Sequence, residues 1–494
     1  MTHKLKYVLP LCLYGCLNTG CTEKKPNVLF ICIDDFRPEM GHNTHLIRTP
    51  NMDRLASEGT SFMNHYAVIP TSGASRCCML SGKYPQTKGD LDNFAAELRL
   101  SDAPEQDFPE TMFHHLRRNG YYTVGVGKVS HSADGRLYKY DQAVSSKLEL
   151  PYSWDEMLSD AGKWETGWNS FFAFADGKSR TSEKKQVRPY QCVDNSEVLP
   201  DELTANLAVK KLKELSAKGE PFCMAVGFFK PHLPFVSHQR YWDLYDEDSI
   251  PLAPVPDIPE NCSVETLMNS AEFKSYQLGD EKPSLDYRVS DEYARRLRHA
   301  YYACVSFTDD QVGKVLKALD ESGLADNTIV VLWGDHGWQL GDYRVWGKHT
   351  LHDIALNSSL IVRAPGCKQG INSKRVVSSI DIYPTLMELC GVESPEGIDG
   401  KSFVTLLKDP DSKQWNDVAL GFFGDKATVR TPDYRLIYAD FNRETPLQEL
   451  YQYEDDNFER KNIAAQHPEK IEELKRHFAQ PYDIIKTNLS AGKR

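Results

Sequence analysis

Long apolar runs, a basic charge excess and paired cysteine spacings are all missing from this sequence, and each absence narrows what the chain can be. No internal stretch approaches the roughly 18 apolar residues of a membrane span. Lysine and arginine total 58 against 70 aspartates and glutamates, a net charge of −12, which argues against a nucleic-acid partner. An anionic sugar is not excluded, because a pocket can be locally basic on an acidic protein. Of the 12 cysteines, Cys12, Cys16 and Cys21 lie at the extreme N-terminus. The other nine are scattered without a C-x-x-C spacing and describe neither a disulfide framework nor a zinc site. What is present is ordinary globular material: 494 residues, 40% hydrophobic and 26% charged, with 8 Trp, 24 Tyr and 21 Phe, enough for a large buried core.

Residues 1–21 read as an export signal of lipoprotein type. Lys4 and Lys6 form a basic start, Tyr7 to Leu17 an apolar stretch, and small residues precede Cys21. Asn18 stands where an aliphatic residue is usual, and Cys16, preceded by Leu13-Tyr14-Gly15, is the second candidate for the lipid anchor. Thr22 to Pro26 then reads as a tether. Export to the periplasm or cell surface of a bacterium is the expectation.

The first strong apolar run, Asn27 to Asp34, does not alternate, which is the pattern of a strand buried on both faces of a parallel sheet. It ends on two carboxylates, Asp34 and Asp35. A helix over Pro50 to Gly59 follows, with Pro at its start and Gly at its end. One grammar then repeats: helix, glycine, apolar strand, polar cluster. Helix Pro109 to Asn119 and strand Tyr121 to Val126 deliver Lys128 and His131. Helix Asp201 to Ala217 and strand Phe222 to Phe228 deliver Lys230-Pro231-His232. A long helix from Ser290, closing at Gly323, and strand Thr328 to Trp333 deliver Asp335-His336.

This alternation predicts an α/β fold with a doubly wound, mostly parallel sheet over residues 26–400. Ligands on such sheets bind beyond the carboxyl ends of the strands, where every one of these polar clusters lies. Residues 415–494 read as a smaller C-terminal α+β subdomain, with short strands over Val418 to Phe423, Lys426 to Thr431, Tyr434 to Ala439 and Leu450 to Tyr453, ending in a helix from Pro468 to Phe478.

Two aspartates ending one strand and an Asp-His pair ending another form a hard, oxygen-rich set with one imidazole, which suits calcium or magnesium better than zinc. The segment Ser72-Gly73-Ala74-Ser75-Arg76, followed by Leu80-Ser81-Gly82-Lys83, matches the sulfatase signature. Asn27 to Pro38, Gly127 to His131, Ala225 to Phe235, Ala303 to Gly313 and Asn327 to Lys348 resemble, in order and spacing, the iduronate-2-sulfatase branch of the type I sulfatases.

That resemblance implies an alkaline-phosphatase-like fold and a formylglycine nucleophile made from Ser72. It implies one calcium ion held by Asp34, Asp35, Asp335, His336 and the modified Ser72. Arg76 would hold the formylglycine hydrate, and Lys128 and Lys348 the sulfate oxygens. His232 would be the acid for the departing sugar oxygen and His131 the base, with these two roles open to exchange. Serine in place of cysteine at position 72 resembles the bacterial type matured by an anaerobic radical enzyme. The implied substrate is a sulfated glycan oligosaccharide, carrying a uronate 2-O-sulfate at the non-reducing end of glycosaminoglycan fragments. A sulfatase for another glycan position or an algal polysaccharide, a phosphatase or phosphodiesterase of the same superfold, and a glycan-binding lipoprotein are the alternatives.

Overall fold

The computed structural model describes residues 25–96, 105, 110–454 and 456–490. The expected export signal and both candidate lipid-bearing cysteines lie outside the described residues.

Strand Asn27–Ile33 is buried at every position, and its pairing shows why it does not alternate. It lies between strands Phe222–Phe228 and Thr328–Gly334, parallel to both. Leu29, Ile31 and Ile33 enter one apolar core with Val226, Leu332 and the helices Pro200–Lys218 and Asp291–Glu321. Val28, Phe30 and Cys32 enter a second core on the opposite face, with Phe113, Ala225, Val331 and Leu386. With apolar matter on both faces, each position along the strand is selected for hydrophobicity.

The sheet has eight strands in the spatial order Ile371–Ser378, Thr60–Tyr66, Leu360–Arg363, Thr328–Gly334, Asn27–Ile33, Phe222–Phe228, Tyr122–Gly127 and Glu156–Leu158. Only Leu360–Arg363 runs antiparallel to its neighbours. Some helix ends fall where the sequence indicates, whereas the helix expected from Pro109 begins at Met112, where Thr111 caps it by accepting the His114 N–H, and the one expected to reach Gly59 ends at Ser57. Ser290 caps the 31-residue helix by accepting the Tyr293 N–H, with Asp291 and Glu292 in its first turn. Gly219, at φ +73°, closes helix Pro200–Lys218 in the left-handed conformation that favours glycine.

A separate sheet of Ala419–Phe423, Lys426–Arg430, Tyr434–Ala439 and Leu447–Gln452 is joined by consecutive antiparallel pairings. Its last strand begins earlier than the sequence suggests, because Leu447 and Gln448 pair with Ala439 and Tyr438 across the hairpin. The terminal helix is two helices, Pro468–Lys475 and Ala479–Ser490. Phe478, at the break between them, is buried with Tyr438 and Tyr482 against this sheet.

Candidate active site

Six segments meet beyond the carboxyl ends of the central strands. Asp34 and Asp35 follow strand Asn27–Ile33 directly, and Asp35 takes a left-handed φ of +55°, a conformation Asp tolerates better than most residues. Ser72 is the first residue of the ten-residue helix Ser72–Ser81, all of it buried. Its hydroxyl donates to Asp34 Oδ1 at 3.1 Å and lies 3.0 Å from His336 Nε2. His336 Nδ1 is 2.9 Å from the Gly337 carbonyl. As the N–H tautomer at Nδ1 it leaves Nε2 free as a lone pair facing the acidic cluster.

One turn along the same helix, Arg76 donates from Nε to Asp335 Oδ2 at 3.1 Å and from Nη1 to the carbonyls of Lys128 and Val129 at 2.9 and 3.0 Å. Lys128 Nζ lies 3.3 Å from Asp34 Oδ2 and donates to the His131 carbonyl at 2.9 Å. Lys348 Nζ donates to Asp35 Oδ1 at 2.8 Å. His232 Nδ1 is 2.6 Å from the Leu233 carbonyl, so Nε2 is the nitrogen it turns to the cluster, 3.6 Å from Asp35 Oδ2 and 3.2 Å from Glu272 Oε1. All of the sequence-predicted site residues thus converge. His131 alone makes no contact within hydrogen-bond reach of the carboxylates: its Nδ1 is 3.5 Å from Lys128 Nζ and its Nε2 is buried without a hydrogen bond.

The carboxylates and His336 offer ligand atoms all within 4.8 Å of one another. Apart from the Lys128 ammonium, Asp34 Oδ2 and Asp35 Oδ2 are buried without a hydrogen-bond partner, an arrangement that costs free energy unless a cation lies between them. Burial raises Asp34, but Lys128 and Arg76 outweigh it and hold that carboxyl well below the usual range. Burial, with Asp34, Glu272 and Asp335 against Lys348, pushes Asp35 well up. Burial and Asp34 also raise Asp335. The residues therefore fit a hard divalent cation: three carboxylates, no sulfur, and mutual repulsion that such an ion relieves.

Several neighbours have no signature in the sequence. Glu272, on the short helix Ala271–Lys274, reaches both His232 and Lys348, the latter at 3.5 Å. Lys348 and His232 hold its carboxyl well below the usual range despite burial. It lies in an irregular stretch with no period to mark it. Trp168, Phe171 and Phe172 form an aromatic wall: Phe171 sits 4.4 Å from the His232 ring and Trp168 5.4 Å from that of His131. In sequence they fall in a loop-rich stretch from Leu150 to Val198 that could wall off one side of the site, with nothing to mark these three rings.

The sulfatase family profile matches residues 26–392, and the profile for the C-terminal part of N-sulphoglucosamine sulphohydrolase matches 341–483. A sulfatase of Formosa agariphila is 28% identical over 88% of this chain and 84% of its own length. The iduronate 2-sulfatase of Homo sapiens is 30% identical over 76% of this chain and 71% of its own. Among solved structures, a phosphonate monoester hydrolase from Silicibacter pomeroyi superposes with a TM-score of 0.69 at 24% identity, covering 94% of this chain and 97% of that one. This last likeness speaks to the fold, which is alkaline-phosphatase-like. With the profile spanning most of its length, including both halves of the acidic cluster and the Ser72 helix, the chain belongs to the type I sulfatase family and is a hydrolase of sulfate esters.

Proposed function

We propose that this sulfatase removes 2-O-sulfate from a terminal uronate of glycosaminoglycan fragments, using calcium and a formylglycine derived from Ser72. The observation that carries the reading is the position of Ser72 Oγ, 3.1 Å from Asp34 and 3.0 Å from His336, at the head of a buried helix whose Arg76 reaches the same cluster. The iduronate 2-sulfatase relative supports the choice of sugar and position.

Calcium held by Asp34, Asp35, Asp335 and His336 would supply charge stabilisation for the nucleophile and the sulfate oxygens. Formylglycine hydrate at position 72 would supply two hydroxyls on one carbon, one to attack sulfur and one to expel sulfate, where an unmodified serine would stop at a stable ester. Arg76 and Lys128, cross-linked through the Lys128 carbonyl, hold the nucleophile's surroundings rigid and positive. Lys348, on the opposite side at Asp35, offers an ammonium to sulfate. His232 turns Nε2 into the site with its Nδ1 proton engaged by the Leu233 carbonyl, and is the candidate acid for the sugar oxygen. His131, beside Lys128, is the candidate base. The aromatic wall of Trp168, Phe171 and Phe172 supports a pocket that admits a chain end and excludes polymer interior.

Two measurements test this. In active protein the Ser72 peptide should be two hydrogens lighter than its serine form, and full activity from unmodified serine would remove formylglycine from the mechanism. Matured enzyme given 2-O-, 6-O- and N-sulfated disaccharides should release sulfate fastest from the 2-O-sulfated uronate. A faster 6-O-sulfated hexosamine refutes the specificity and leaves the sulfatase assignment intact.

A further inference from the structure

A second cluster of metal-ligating side chains lies outside the active site, with ligand chemistry of the opposite kind. Cys262 Sγ is 3.9 Å from Glu449 Oε2, and His352 Nε2 is 4.0 Å from the same oxygen. Thr266 Oγ1 is 3.4 Å from the sulfur and 3.3 Å from His352 Nε2. Tetrahedral zinc, with bonds of about 2.0–2.3 Å, sets its ligand atoms about 3.3–3.8 Å apart. The three ligand atoms lie within 4.8 Å of one another and would draw together to reach that geometry. From one thiol, one imidazole and one carboxylate, we infer a zinc(II) site formed by Cys262, His352 and Glu449.

Charge balance points the same way. Nearby Asp353 and Glu459 are matched by Arg430 and Arg435, with Arg435 at 2.9 Å from Asp353 and 3.1 Å from Glu459. Glu449, only 1% exposed, is different. Its oxygens take the Ser263 N–H and the hydroxyls of Thr266 and Tyr451, and among the described residues no lysine or arginine pairs with it. With His352 as the one ionisable base beside it, this buried carboxylate is costly unless a cation completes it. On the far side of the imidazole, His352 Nδ1 lies 3.5 Å from Glu459 Oε2. Glu459 is itself fixed by the Asp353 N–H and the hydroxyls of Tyr343 and Tyr453, each at 2.9 Å. His352 Nδ1 makes no hydrogen bond, and a carboxylate on this side of a ligating histidine would orient the ring and raise its basicity on closing to hydrogen-bond distance.

The three ligands come from segments far apart in sequence: a loop, the residue preceding helix Asp353–Leu356, and the strand Leu447–Gln452 of the C-terminal sheet. Zinc here would fasten that sheet to the segment that also carries Lys348. Cys262 is partly exposed, which gives the ion a way in.

The test uses full-length Asp335→Ala protein, so that the acidic cluster does not compete, stripped with chelator and then given zinc(II) or cobalt(II). One equivalent of cobalt should give a thiolate charge-transfer band that Cys262→Ser lacks. Zinc at a hundredfold over Kd should raise Tm by about 3 °C in the first protein and leave Cys262→Ser unchanged. In wild-type protein zinc should protect Cys262 from iodoacetamide, while exposed Cys192 reacts at the same rate throughout. This last measurement stands even where a variant fails to fold. Alkylation of Cys262 unaffected by zinc, or cobalt bound without a sulfur band, overturns the proposal and leaves His352 as an imidazolium bridging Glu449 and Glu459.

Discussion

Asp335 shows how much one side chain does in this site. One oxygen accepts the N–H groups of Asp35 and His336, both at 3.0 Å, and the other accepts Arg76 Nε at 3.1 Å. It thereby ties the two strand ends to the Ser72 helix, besides belonging to the candidate cation set. Asp335→Ala should abolish calcium binding in a calorimetric titration and lower kcat by about 10²–10³-fold or more, the scale for loss of a preorganised electrostatic group. Circular dichroism should be close to wild type, because the strand Thr328–Gly334 is held by its ladder on both sides. Wild-type calcium affinity in the variant would exclude Asp335 as a ligand. His65 is a second informative residue, buried with Nδ1 3.1 Å from the Ser358 carbonyl and Nε2 3.1 Å from Ser379 Oγ. Burial pushes it down to about 4 from 6.5. Its folded pKa is depressed, so the stability it contributes is complete above pH 6.5 and is lost as pH falls towards 4, about 3 kcal/mol in all. Urea midpoints between pH 7 and 4.5 should fall more steeply for wild type than for His65→Asn. Equal slopes would place the acid sensitivity elsewhere.

Among elements, the parallel strands were legible because burial on both faces removes alternation, and the helices because Gly219 and Ser290 mark their ends chemically. The antiparallel Leu360–Arg363 was not legible: four residues carry no sign of direction, and its orientation follows from where the chain returns to the sheet. The same contrast holds in the site. Asp34, Asp35, Lys128, His232 and Asp335 could be read because each follows a recognisable strand. Glu272 could not, and neither could the meeting of Cys262 with His352 and Glu449, since cysteine spacing is silent about partners supplied by other residue types. Where two strands end together, a glycine decides the geometry. A Cβ on Gly227 would stand 1.8 Å from the Lys128 carbonyl oxygen, which accepts from Arg76. Gly227→Ala should therefore cost about 3 kcal/mol, at the upper end for overpacking. It should also lower kcat by about 100-fold, because a shift near 1 Å at Lys128 moves Arg76 with it. Wild-type kcat with only reduced Tm would show that the strand end yields without disturbing the site.

At the scale of the whole molecule, the C-terminal sheet is part of the catalytic body's core. Val68 and Ile69, and Ala74 and Cys78 from the Ser72 helix, pack in one apolar cluster with Leu420, Phe422, Val429 and Leu436. The Phe422 N–H donates to the Val68 carbonyl at 2.8 Å, joining the two parts through backbone as well. Beside this contact Arg430 and Arg435, from the C-terminal sheet, meet Asp353 of the catalytic part at 3.1 and 2.9 Å, with all three side chains buried. Removing the sheet would strip one face of the helix that presents Ser72 and leave Asp353 without its two guanidinium partners, and breaking a buried pair from one side costs about 3–5 kcal/mol. A chain ending at residue 414 should accordingly be inactive and prone to aggregation. The intact chain should unfold in one calorimetric transition whose van't Hoff and measured enthalpies agree. Two resolved transitions, with the catalytic part surviving the first and still turning over substrate, would show instead that the sheet is an independent appendage and that the Ser72 helix holds its position without it.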